Sequence, residues 1–114
     1  MTIRPDTATS PSFFRLASER MDWLAERQKV LAANIANADT PGYRARDLTA
    51  FEDFLSTGVA ESRETGSVWD VSADDNRVVL EEQSLLASET EESHRLAARL
   101  YRRGHDLIAL AVGK

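Results

Sequence analysis

Two stretches of helical periodicity, one toward each end of the chain and separated by a long polar middle, limit what this sequence can fold into. From Phe13 onward, Phe14, Ala17, Met21, Leu24, Gln28, Leu31, Ile35 and Ala38 recur at alternating spacings of three and four. That rhythm draws one coiled-coil seam along a helix. Only Gln28 interrupts its apolar character, and Glu19, Arg20, Glu26, Arg27 and Lys29 are assigned to the opposite, solvated face. Such a helix is roughly 40 Å long. Toward the other end the rhythm returns in Leu86, Thr90, Ser93, Ala97, Leu100, Gly104, Leu107 and Ala111, with Leu96 and Leu110 flanking it. Thr90, Ser93 and Gly104 permit close helix approach but bury less apolar area than Leu, so this second helix is marginal when isolated.

The first pattern stops at Asp39-Thr40-Pro41-Gly42-Tyr43. Pro41 disfavours helical geometry in the residue before it, and Gly42 can take the positive φ of a type II turn. Asn34 and Asn37 are poor helix formers in the last turns, where their amides can bond to the turn backbone. Beyond it, Asp47 to Leu55 can form a short helical segment. Ser, Thr, Gly and acids then dominate, and Val68-Trp69-Asp70-Val71 alternates over a run long enough only for a small strand or docking patch. The expected organisation is a flexible arm over 1–12, an N-terminal helix over 13–40, a turn and irregular region over 41–77, and a C-terminal helix over 78–114.

At 114 residues there is room for one small domain. The net charge of -5, with Lys and Arg interleaved among acids, argues against nucleic acid as a partner. The absence of Cys removes disulfides, thiolate nucleophiles and sulfur-based metal sites. Met1 to Arg20 lacks the apolar run of a cleavable secretory signal, and no stretch approaches membrane-spanning length, so direct membrane insertion is not expected.

Catalytic candidates are few. His94 and His105 are about 16 Å apart along one helix, too far to share a metal ion, and both are read as surface residues. Glu81, Glu82, Glu89, Glu91 and Glu92 have the spacing of an exposed face, and the five glycines form no phosphate-binding loop. No catalytic, cofactor or metal residue is assigned, and no enzyme activity is expected.

The run Leu31-Ala32-Ala33-Asn34-Ile35-Ala36-Asn37-Ala38-Asp39-Thr40-Pro41-Gly42-Tyr43-Arg44-Ala45-Arg46-Asp47-Leu48 resembles the N-terminal signature of the bacterial flagellar rod and hook proteins. Its Asn34, Asn37, Thr40, Pro41, Gly42 and Tyr43 occupy the arrangement that closes the first helix in that family. The short chain and the segment Asn76-Arg77-Val78-Val79-Leu80-Glu81-Glu82 are similar to the proximal-rod members. The resemblance implies a structural subunit of the basal-body rod that helps transmit motor torque to the hook. It also implies delivery through the flagellar type III export channel without a cleavable signal. Implied partners are other rod proteins and the base adaptor or export gate, within a higher-order helical assembly, and no cofactor is implied.

The expected fold is all-α: two long terminal helices pair like a coiled coil, joined by an irregular central region with a possible small β element. Leu24, Leu31, Ile35, Leu100 and Leu107 are assigned to the assembly seam. The Pro41-Gly42 turn is expected to send the chain outward under the Tyr43 ring, with Arg44 and Arg46 offering charge to neighbouring subunits. The alternative is a soluble helical binding module or export chaperone that shields a partner's amphipathic helix.

Overall fold

A computed structural model describes residues 12–65 and 78–113. The expected arm over 1–12 therefore lies, up to residue 11, outside the described residues, as does the expected strand at Val68–Val71. Three helices and two short strands follow in the order α1 (Ser12–Ala36), β1 (Arg46–Leu48), α2 (Phe51–Thr57), β2 (Ser62–Glu64) and α3 (Leu80–Val112). The two long terminal helices pack together and set an elongated outline of 62 × 32 × 19 Å.

The first helix ends where its sequence loses helical preference. Asn37 N–H still bonds the Ala33 carbonyl at 3.0 Å, but Ala38 reaches Ile35, Thr40 reaches Asn37 and Tyr43 reaches Thr40, tightening the chain into successive turns. The chain then doubles back. β1 runs antiparallel to the strand β2, with Arg46 opposite Glu64, Asp47 opposite Arg63 and Leu48 opposite Ser62. The segment expected to be helical over 47–55 is divided: its first residues belong to β1, and α2 starts only at Phe51. Gly58, at φ 78°, closes α2 by donating its N–H to the Phe54 carbonyl at 2.7 Å.

Two stripes of α1 are covered. Leu24 (2% exposed) and Leu31 (0%) lie on the expected seam, whereas Trp23 and Asn34 are buried on an adjoining stripe beneath the returning chain. The face read as solvated is thus partly occupied, with Arg20 and Arg27 engaged there. On α3 the buried positions are Glu82, Gln83, Thr90 and Ala97. The Thr90 hydroxyl donates to the Leu86 carbonyl at 2.7 Å, which satisfies it inside the interface.

Beyond Ala97 the intramolecular contact departs from the heptad reading. Leu100 and Leu107, expected on the seam, are 48% and 52% exposed; Gly104 keeps its seam position against the start of α1, and Tyr101, off the seam, joins it there. A straight helix drifts by about 20° per heptad relative to a seven-residue repeat, so over the three heptads from Leu86 to Leu107 a strict heptad rotates by about 60° away from a fixed partner. The aromatic rings complete the shift: Phe14 packs edge-on to Tyr101 at 5.4 Å and stacks on His105 at 4.2 Å. His105, read as a plain surface residue, therefore carries a ring contact. Gly104 leaves room for this cluster, since an added Cβ would stand 2.8 Å from Phe13 and 2.9 Å from Phe14.

Candidate functional site: the helix–turn joint

Asn34 is the centre of the joint. It projects from the last turns of α1 with no solvent exposure, and every hydrogen-bonding position of its amide is used. Its Nδ2 donates to the Arg46 carbonyl at 2.8 Å and to Gln83 Oε1 at 2.7 Å. Its Oδ1 accepts from the Arg46 N–H and from the Tyr43 hydroxyl, both at 3.1 Å. One side chain thus ties α1 to the turn, to β1 and to α3, segments that are distant in sequence. Burial without these four bonds would be costly.

Asn37 and Thr40 support the same corner. Asn37 Nδ2 donates to the Ala33 carbonyl at 2.9 Å, and its Oδ1 accepts from the Thr40 hydroxyl at 3.0 Å. Thr40 to Tyr43 then form a β-turn closed by the Tyr43 N–H, with Gly42 at φ 81°. Nothing stands within 4 Å of where a Gly42 Cβ would be, so the glycine is required by backbone conformation and not by space. Gly42→Val is expected to destabilise the chain by about 1–2 kcal/mol, with Gly42→Asn costing much less, since Asn tolerates this region. Urea unfolding of the two variants measures the difference. Equal losses would mean that the turn relaxes out of its positive φ.

The turn does not send the chain outward. It returns the chain along α1, so that successive residues of the returning segment meet successive turns of the helix. Arg46 lies beside Asn34, and Asp47 takes a two-pronged ion pair from Arg27, at 2.9 Å from Nε and 2.8 Å from Nη2. Farther along, the Thr49 carbonyl accepts from Trp23 Nε1 at 3.1 Å, and the Phe51 ring meets the Trp23 ring edge-on at 5.9 Å. The Arg20 guanidinium lies 5.1 Å from the Trp23 ring centre and 4.9 Å from that of Phe51.

Arg44 and Arg46, expected to serve neighbouring subunits, have partners within the chain. Arg46 donates to the Ser62 hydroxyl and carbonyl, and both arginines lie within 4.0 Å of Glu64. The docking partners Trp23, Arg27 and Asp47 were not singled out as a group in the sequence. The available signal was the spacing of Arg20, Trp23 and Arg27, which places a cation one turn on either side of an aromatic ring.

The seam residues fall into two groups. Leu24 and Leu31 are buried and Ile35 is half-buried, whereas Leu100 and Leu107 are exposed in the single chain. Pro41 is also exposed, at the outer tip of the turn. No group of His, Asp or Glu among the described residues is arranged to hold a metal ion, and no described helix is long and apolar enough to cross a membrane.

Residues 14–44, which run through α1 and the turn, match the family of flagella basal body rod proteins. Curated relatives agree. Over 54 residues the chain is 48% identical to the flagellar basal body rod protein FlgB of Salmonella typhimurium, covering 47% of this chain and 39% of that protein. It is 50% identical over 54 residues to FlgB of Escherichia coli, covering 47% and 38%, and 45% identical over 53 residues to FlgB of Agrobacterium fabrum, covering 46% and 37%. The alignments thus span less than half the length of these relatives. Over its first helix and turn the chain matches the flagellar basal body rod family, and the rod protein it resembles is FlgB.

Proposed function

We propose that this chain is a structural subunit of the flagellar basal-body rod, of the proximal-rod kind, without catalytic activity. In this reading its terminal helices pack among those of other rod proteins, and the joint at Asn34 holds the returning segment rigidly against α1 so that torque passes through the subunit toward the hook. The partners are other rod subunits and the base adaptor or export gate, reached through the type III export channel.

The observation that carries this reading is the state of the last turns of α3. Leu107, Ile108, Leu110 and Val112 are 52%, 51%, 72% and 74% exposed, and their positions go all round the helix. A helix end that is apolar on every side is suited to burial, and one neighbour within the same chain cannot cover it. Its combination with the rod-type helix and turn favours an assembly whose neighbours supply that cover.

The test is incorporation. A tagged chain expressed in cells that lack their own copy should restore motility and co-purify with detergent-extracted hook–basal bodies. A chain that stays in the cytosol, bound one-to-one to another flagellar protein, would instead favour the export-chaperone alternative.

A further inference from the structure

The outward face of α3 separates its charges into two blocks. Glu81, Glu89, Glu91 and Glu92 lie in residues 80–92, which contain no Lys or Arg, and Arg95, Arg99, Arg102 and Arg103 follow. All eight are exposed. Only Glu91 and Arg95, at the border, pair with each other, at 2.7 Å, and Arg99, Arg102 and Arg103 form no ion pair with another described residue. A solitary solvated helix gains most from acids and bases interleaved at one-turn spacing; here that spacing occurs only at the border, where Glu91 and Glu92 precede Arg95, and at Asp106, which follows Arg102 and Arg103 without an ion pair to either. The helix dipole does not explain the basic block either, because its influence fades within the terminal turn and Arg103 lies more than two turns before Val112.

Beside this charged face runs an apolar stripe. Leu85, Leu96 and Leu107 are 47%, 49% and 52% exposed and recur every eleven residues. That interval returns to nearly the same side of a helix after three turns. The same interval separates Glu91 from Arg102 and Glu92 from Arg103. Charge and apolar pattern thus share one displacement.

We infer that α3 of a second copy of this chain packs on this face, parallel to the first and displaced by eleven residues, about 17 Å along the axis. The displacement sets Leu96 and Leu107 of one copy against Leu85 and Leu96 of the other, and Arg102 and Arg103 against Glu91 and Glu92. Both copies use different parts of the same helix, so the contact is heterologous and leaves a free acidic block at one end and a free basic block at the other. It is open to further copies. This inference rests on the rod reading and adds to it the axial step between like subunits.

The test uses the full chain in sedimentation equilibrium at low and high salt. The unaltered chain should associate beyond a dimer, at least tenfold more weakly in high salt. A variant with Arg99→Glu, Arg102→Glu and Arg103→Glu, and a second with Glu89→Arg, Glu91→Arg and Glu92→Arg, should each associate at least tenfold more weakly. An equimolar mixture of the two should recover association, because opposite blocks are again available. Circular dichroism checks that both variants retain their helix. Association unaffected by either set, no recovery on mixing, or assembly that stops at a dimer would overturn the inference. Charge-reversed variants that enter basal bodies as efficiently as the unaltered chain would also overturn it while leaving the rod reading intact. Salt-dependent, mixing-rescued association by a chain that never enters basal bodies would remove the rod reading and keep the stagger.

Discussion

Asn34→Ala is expected to destabilise the isolated chain by about 2–4 kcal/mol, a large fraction of what a domain of this size commands. The loss exceeds that of an ordinary hydrogen bond because the partners stay behind. The Arg46 N–H and carbonyl and Gln83 Oε1 all face the vacated position, and Gln83 is only 2% exposed. Asn34→Asp should be at least as damaging. It keeps acceptors for Tyr43 and the Arg46 N–H, but it turns negative charge toward two oxygen acceptors that formerly received Nδ2. Gln83→Leu should cost about 1 kcal/mol, since Asn34 Nδ2 keeps its bond to Arg46. Urea denaturation of the three variants tests the order. A Gln83→Leu loss as large as that of Asn34→Ala would place the weight of the joint on α3 instead of on the turn.

The second large effect concerns assembly without folding. Ile108→Glu with Leu110→Glu alters two side chains that are 51% and 72% exposed in the single chain, so thermal stability should change by no more than about 0.5 kcal/mol. In the rod reading both are buried by neighbours. Each leucine or isoleucine buried contributes about 1.5–3 kcal/mol, so losing two should lower incorporation into basal bodies by at least about a hundredfold. Quantitative immunoblotting of purified hook–basal bodies measures it. Normal incorporation would mean that the end of α3 stays uncovered in the assembly.

Periodicity made the two long helices legible, because a face that meets a partner must be apolar at helical spacing and both ends of the sequence keep that spacing. The small sheet is less legible. β1 and β2 are only three residues each, too short for alternation to declare itself, and their pairing is fixed by side-chain anchors such as Arg46 on Ser62. Polar residues caused the larger departures. Charge alone assigns Arg20 and Arg27 to solvent, yet both lie over the Trp23 ring within α1, and Arg20 also meets Phe51 and Arg27 meets Asp47, two contacts that depend on the chain returning along α1. On α3 the heptad rule places Leu100, Gly104 and Leu107 inside; Gly104 does face α1, with the off-seam Tyr101 beside it, while the two leucines stay exposed. The leucines that the single chain leaves outside, 48% and 52% exposed, are available to neighbours.

In the rod reading, the terminal helices of this chain are completed by other subunits. Amide hydrogen exchange on the purified chain, alone and with purified rod proteins, tests it most directly over residues 13–38 and 78–112. Expected are modest protection around Leu24, Leu31 and Thr90, fast exchange from Leu100 onward in the chain diluted to its monomer, and slowing across both helices when rod proteins are added. Strong protection through Val112 in the isolated chain, unchanged by those partners, would contradict it and identify a self-contained helical module instead.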